Sequence, residues 1–251
     1  MKNILLVVNA TPDYEPLFES ALKESIIDII LKTDPENFNQ ELDSAIATKN
    51  HIILMKGLIE TADFIRPILA RNDLYTKGTL LSHCAILEND FGARFIVTDA
   101  AMNMYPNAET KVKIAENAIW LHKKLNDTIM LPKISALTPA GKLNPKIQSS
   151  VDAEFIAKEL FGKAEVVPDQ LDTAVSASAA ATKGRVAARP ADILLCHDLD
   201  SGNILYKAMT NFGGFSVGGL IIGTKLPICV NSRSDSKKSK LLALKYATRL
   251  R

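Results

Sequence analysis

The feature that most limits how this chain can fold is an alternation. Short apolar runs rich in β-branched residues recur from end to end, and most are followed by a stretch with apolar residues at helical spacing. Residues 4–9 form the first run. Residues 51–55, 80–87, 94–98, 133–137, 165–167, 191–196, 215–222 and 228–230 form the others. Runs this short and this continuous suit strands buried on both faces. Residues 14–31 carry apolar side chains at 17, 18, 21, 22, 26, 27, 29 and 30, which reads as one helical stripe. Helices are also expected over 61–69, 106–125, 150–160, 172–181, 201–212 and 234–249. Strand and helix in regular succession predict an α/β fold with a mostly parallel sheet. One pair breaks the pattern: residues 80–87 and 94–98, joined by a turn-like 88–92, read as an antiparallel hairpin.

Composition removes several function classes. With 251 residues, 47% of them hydrophobic, the chain can bury the core of one large domain or of two modest ones. Its three cysteines, Cys84, Cys196 and Cys229, lie far apart and form no CxxC pair, which argues against a disulfide framework or a zinc knuckle. No apolar run approaches the ~20 residues of a membrane helix. The first apolar run soon meets Pro12 and Asp13 without a small-residue cleavage site, so no signal peptide is expected and the address is the cytoplasm. The four histidines show no metal-ligand spacing, HExxH and GxSxG are absent, and no GxGxxG opens a helix. Residues 218–225 (GGLIIGTK) imitate a phosphate loop, but the Lys is displaced by one, no Ser or Thr follows it, and the run is itself strand-like.

Open α/β sheets bind ligands beyond the carboxyl ends of their strands, so polar residues placed there are the candidates. Three clusters qualify. Asp99 and Asn103 follow the run 94–98, where turn and cap chemistry is the competing explanation. Asp200, Asn203 and Lys207 follow the run 191–196, at i, i+3 and i+7 on one face of a helix expected to begin near Gly202. Ser232, Arg233, Ser234 and Asp235 follow the run 228–230. The serines and Asp235 suit a helix cap, and Arg233 offers a bidentate fork for phosphate or an oxyanion. This last cluster opens a basic segment. Residues 225–251 hold eight cations and one acid, a balance of +7. With +2 over the whole chain, the remainder carries −5. Such a segment suits an anion site or a solvated helix face.

These pieces, in this order, resemble the phosphate acetyl/butyryl transferases, which move acyl groups between coenzyme A and phosphate. The resemblance spans about residues 54–247. It rests on LMKG (54–57), TADFIRP (61–67), LLSHCAILE (80–88), VTDAAMN (97–103), NPK (144–146), VDA (151–153), DLDSGNILYK (198–207), GGLIIG (218–223), LPI (226–228) and SRSDS (232–236) with Lys240. LLSH, DAAMN and NPK look closer to the butyryl branch. The resemblance implies two α/β domains of the isocitrate/isopropylmalate dehydrogenase-like type with an interdomain active-site cleft, here residues 1–84 plus 222–251 and residues 85–221. It implies no metal and no prosthetic group, coenzyme A as a substrate, and a homodimer or larger homo-oligomer. Nucleic acid and membrane are not expected partners. Ser232 and Arg233 are the implied phosphate and oxyanion ligands, with Asp235 as base. Thr61, Arg66, Asp99, Asn103, Asp200, Asn203 and Lys207 are implied to contact phosphate or coenzyme A.

The chain departs from the family pattern at several points. Tyr75-Thr-Lys-Gly stands where the butyryl branch carries Arg-Thr-Gly, and Val166-Val-Pro168 stands where it carries Asp-Gly-Pro. His197 replaces a Pro, and Ser239 occupies the position of the acetyl branch's catalytic Asp. The region before Leu54 reads as about one βα unit short. Two other readings therefore stay open. One is a non-catalytic or repurposed homologue that binds coenzyme A or phosphate. The other is an NAD-dependent oxidative decarboxylase on the same fold, which would need an acidic metal cluster that the sequence does not present.

Overall fold

A computed structural model describes residues 1–176 and 190–250. The chain forms two compact units, Met1–Leu81 with Ser216–Arg251, and Ser82–Phe215. Residues 216–221, expected in the second domain, fall in the first unit, where their strand pairs antiparallel with the one at Ile228–Cys229, and residues 82–84, expected in the first domain, fall in the second unit.

The first unit holds five strands. They are β1 (Asn3–Val8), β2 (Ile29–Thr33), β3 (His51–Lys56), β9 (Ser216–Ile222) and β10 (Ile228–Cys229), in the order β2-β1-β3-β10-β9. β1 runs parallel to β2 and β3, with Ile4 level with Ile29 on one side and Ile52 on the other. Every residue of β1 and β3 is buried, as their unbroken apolar runs require. Helices α1 (Glu15–Lys23), α2 (Phe38–Ala47), α3 (Thr61–Leu69) and α8 (Lys237–Ala247) complete the unit.

The helical stripe read over 14–31 is corrected here. Helix α1 stops at Lys23, Ser25 takes a left-handed φ of 54°, and the chain re-emerges as β2. Ile26, Ile27, Ile29 and Ile30 are β-branched, and their stiff side chains favour the strand side of that boundary. Two βα units therefore precede β3. The run 218–225 also resolves. Most of it is β9, and a Cβ on Gly218 would lie 3.1 Å from the Ala243 nitrogen of α8, so close strand–helix packing demands this glycine.

The second unit orders its strands β4 (Ser82–Glu88), β5 (Arg94–Thr98), β8 (Ile193–Leu195), β6 (Lys133–Leu137) and β7 (Glu165–Asp169). β4 and β5 form the expected antiparallel hairpin, and the other neighbours are parallel. β7 runs through Pro168, where the sequence reading stopped at Val167. It lies at the end of the strand order, where a missing N–H is tolerated. Helices α4 (Ala108–Asn126), α5 (Gln148–Glu159), α6 (Leu171–Val175) and α7 (Leu199–Asn211) pack around this sheet. The helix expected over 172–181 is α6 at its start, and its residues 177–181 lie outside the described residues. The mixed α/β architecture expected from the alternation is present in both units.

Candidate functional site

In the first unit the sequence-selected residues sit at the carboxyl ends of β3 and β10. After β10 the chain forms a closed loop. The Asp235 carboxylate accepts from the Ser232 amide at 2.8 Å and from Asn231 Nδ2 at 3.1 Å, both on Oδ2. The Asp235 amide returns a bond to the Ser232 carbonyl at 3.1 Å. Asn231 also donates to the Val217 carbonyl at 3.0 Å, fixing the loop to β9. Helix α8 starts only after this loop. Its cap is Ser236, whose hydroxyl accepts from the Ser239 amide, so the capping role read for Ser232, Ser234 and Asp235 is corrected. Those three residues close the loop on itself: the Ser232 and Ser234 hydroxyls lie 3.1 Å apart.

The closed loop presents Arg233. Its guanidinium donates to Glu60 Oε1 at 2.7 Å and is 54% exposed. Glu60 is the N-cap residue of α3, and Thr61 is the first residue of that helix. Arg66 takes a different direction: it pairs with Asp63 at 3.2 Å on the same helix and is 76% exposed. Ser239, the counterpart of the acetyl branch's acid, is buried and accepts from the Val217 amide at 3.1 Å, which makes it a structural tie between α8 and β9.

Sequence reasoning missed two neighbours of Arg233. Lys56 ends β3 and is 9% exposed, and its Nζ donates to the carbonyls of Ile59 at 2.7 Å and Gly57 at 3.5 Å. Burial pushes its pKa down, Arg233 pushes it further, and Glu60 opposes them. Tyr14 donates to the Lys56 carbonyl at 3.3 Å and packs under Lys240, whose Nζ lies 5.0 Å from the ring centroid. Burial raises the Tyr14 pKa, and Arg233 partly offsets this. The available signal was position: Lys56 stands in LMKG, where an apolar strand ends in a cation.

In the second unit Asp99 follows β5 directly and is buried. The Thr98–Asp99 peptide is cis. Asp99 Oδ1 accepts from the amides of Ala101 and Met102, each at 2.9 Å, and Oδ2 accepts from Asn103 Nδ2 at 2.5 Å. Helix α7 starts at Leu199 rather than near Gly202, because Asp198 and Ser201 form a capping box. Gly202 lies against the Asp99 turn. A Cβ there would collide with the Asp99 carbonyl oxygen and lie 3.3 Å from the Ala100 Cα. Asn203 donates to the Ala100 carbonyl at 3.1 Å. Asp99, Asn103 and Asn203 thus come together. Asp200 is exposed in the first turn of α7, and the Lys207 ammonium lies 4.7 Å from the Tyr206 ring centroid.

A further trio in this unit was not anticipated. Lys111 Nζ donates to Asp152 Oδ2 at 2.5 Å and to His197 Nδ1 at 2.9 Å, and Gln148 reaches Asp152 Oδ1 at 2.7 Å. Lys111 and Asp152 are buried, beside a pocket of about 350 Å³. Burial raises the Asp152 carboxyl, but bonds from Lys111 and Gln148 carry it below the ordinary range. The donation from Lys111 leaves the ring proton of neutral His197 on Nε2. The three cysteines are buried free thiols. Burial pushes Cys84 and Cys196 up to about 12 and raises Cys229 as well, so none presents a thiolate at neutral pH.

The family described as "Phosphate acetyl/butaryl transferase" matches residues 44–247. This chain belongs to that family. A phosphate butyryltransferase of Clostridium beijerinckii is 33% identical over 222 residues, which is 85% of this chain and 73% of that one. A phosphate acetyltransferase of Thermotoga maritima is 28% identical over 223 residues, 86% of this chain and 75% of that one. The higher identity lies with the butyryl branch, as LLSH, DAAMN and NPK implied. The solved structure of a branched-chain phosphotransacylase from Enterococcus faecalis V583 is 36% identical. It covers 100% of this chain and 99% of its own, with a TM-score of 0.87. Membership makes the chain an enzyme, a phosphate acyltransferase. Among the described residues no group of three His, Cys, Asp or Glu is placed to hold a metal ion. No described helix is long and apolar enough to cross a membrane.

Proposed function

We propose that this acyltransferase moves a short acyl group, acetyl to butyryl in size, between coenzyme A and inorganic phosphate. The observation that carries the reading is Arg233 on its closed loop. Asp235 and Asn231 hold the loop's backbone, so the exposed guanidinium is presented from a fixed base toward an anion. In the proposed step the coenzyme A sulfur attacks the acyl phosphate carbonyl carbon. A carbon–sulfur bond forms, the bond to the phosphate oxygen breaks, and phosphate leaves. Arg233 and Ser232 bind the phosphate and the developing oxyanion. Asp235 takes the thiol proton, and the bonds to its Oδ2 set the carboxylate's direction. Thr61, Asp99, Asn103, Asp200, Asn203 and Lys207 are assigned to substrate contact, and Arg66 to an outer phosphate contact.

On this reading the enzyme uses coenzyme A as a substrate and needs no prosthetic group. It works in the cytoplasm and assembles with copies of itself. The branched-chain phosphotransacylase similarity brings branched acyl groups into the test set. Thiol release from acyl-CoA with phosphate present, across chain lengths, checks the reading. Arg233→Ala should lower kcat by about 10²–10³. It should leave the fold intact, because its partner Glu60 is exposed and surface ion pairs contribute little. No thiol release from any short acyl-CoA would sink the proposal.

A further inference from the structure

Lys56 is a buried cation without an anion. Among the described residues its ammonium bonds only to the main-chain carbonyls of Gly57 and Ile59 and pairs with no carboxylate. Taking a charge out of water is costly, and two neutral carbonyls compensate it weakly. A Met at this position would satisfy the strand's packing, so packing alone does not explain the lysine. The carboxylate that acts on it, Glu60, is the one that Arg233 already grips.

The backbone beside Lys56 has the same polarity. Ile59, which accepts from Lys56, precedes Glu60, the N-cap of the nine-residue helix α3. No side chain caps that helix, so the first-turn amides of Thr61, Ala62 and Asp63 lack a side-chain acceptor at the cap. A helix start of this kind favours an anion. Buried ammonium, exposed guanidinium and uncapped helix start therefore lie around one stretch of chain, residues 56–63, with Arg233 bound to it.

We infer that Lys56 is a binding residue for the phosphoryl group, which it holds together with Arg233 and the first-turn amides of α3. This rests on the assignment of Arg233 to phosphate. The phosphate dianion displaces the Glu60 carboxylate from Arg233, so Glu60 acts as a stand-in anion that competes with substrate.

The test is the phosphate dependence of thiol release in Lys56→Met and Lys56→Arg. For Lys56→Met, KM for phosphate should rise about ten- to hundredfold, the worth of a hydrogen bond to a charged group. KM for acyl-CoA should move less than about twofold, and Lys56→Arg should recover part of the loss. Unchanged phosphate KM in folded Lys56→Met would overturn the inference while leaving the acyltransferase reading standing. A second measurement needs neither turnover nor a variant. The Lys56 ammonium resonance of the wild-type protein, followed by NMR during titration with inorganic phosphate, should shift saturably. A resonance that stays put overturns the inference even if Lys56→Met fails to fold. Absence of thiol release in the wild type, with the resonance still shifting, would instead remove the acyltransferase reading and keep the phosphate site.

Discussion

Lys56 in the first unit and Lys111 in the second are both buried lysines, 9% and 3% exposed, and their surroundings differ in one respect. Lys111 meets the Asp152 carboxylate at 2.5 Å and the His197 ring at 2.9 Å. Among the described residues Lys56 bonds only to carbonyl oxygens, and it lies under the field of Arg233. The same contrast runs through the residues around them. In the second unit Asp99 accepts two amides and one side-chain amide, and Asn203 is bound to Ala100, so polar groups are matched inside the protein. In the first unit Arg233 meets the Glu60 carboxylate, and Lys56 pairs with none among the described residues. A buried charge already matched within the protein calls for no further anion, whereas an unmatched one is open to complement from outside. Burial alone does not distinguish a structural lysine from a substrate-binding one; the counter-ion does.

The comparison can be broken most directly at Lys111. Lys111→Met leaves the buried Asp152 carboxylate without its cation and should cost about 3–5 kcal/mol, read as a lower urea midpoint. Lys56→Met should leave that midpoint unchanged or raise it, since it removes a buried charge that pairs directly with no carboxylate among the described residues. Equal losses in the two variants would erase the distinction. Next in size is Gly202→Ala. Its Cβ would meet the Asp99 carbonyl, and the rigid turn can yield only by moving α7, at a cost of about 1–3 kcal/mol. A neutral effect would show that the Asp99 turn is looser than its hydrogen bonds indicate.

The smallest effect concerns pH. Burial, then Lys111, lower the His197 pKa below its ordinary 6.5, with Asp152 and Asp198 opposing. Near that pH the unfolded chain binds a proton at this position and the folded chain does not. The contribution of His197 to stability is therefore complete above pH 6.5 and is lost as pH falls through the folded pKa. Thermal melts taken between about pH 7.5 and about pH 5 should show the wild type losing more stability than His197→Gln. Parallel pH profiles would mean that the imidazole is not held neutral by the trio.

Much of this was legible in the chain. The apolar runs located β1, β3, β4, β5, β6, β8, β9 and β10, because a strand covered on both faces leaves an unbroken apolar signature. The clusters after those strands were visible for the same reason. β2 was not legible, since Ile29 and Ile30 continued the spacing of the helix before them and only the turn at Ser25 separates the two. Helix α2 also passed unnoticed, although Phe38, Leu42 and Ala45, its buried residues, repeat at helical spacing within a polar stretch. Lys56 was hidden by its type. A lysine at the end of a strand is ordinary in sequence, and its lack of a carboxylate is a property of its neighbours.

The sequence by itself determined the α/β architecture and the family, because periodicity and short motifs are local and survive without coordinates. Which charges are matched was decided by the tertiary structure alone. Lys111 and Asp152 are 41 residues apart and meet only when α4 packs beside α5, while Arg233 reaches Glu60 across 173 residues. A charge's worth depends on its partners and its distance from water, and both are set when distant segments pack.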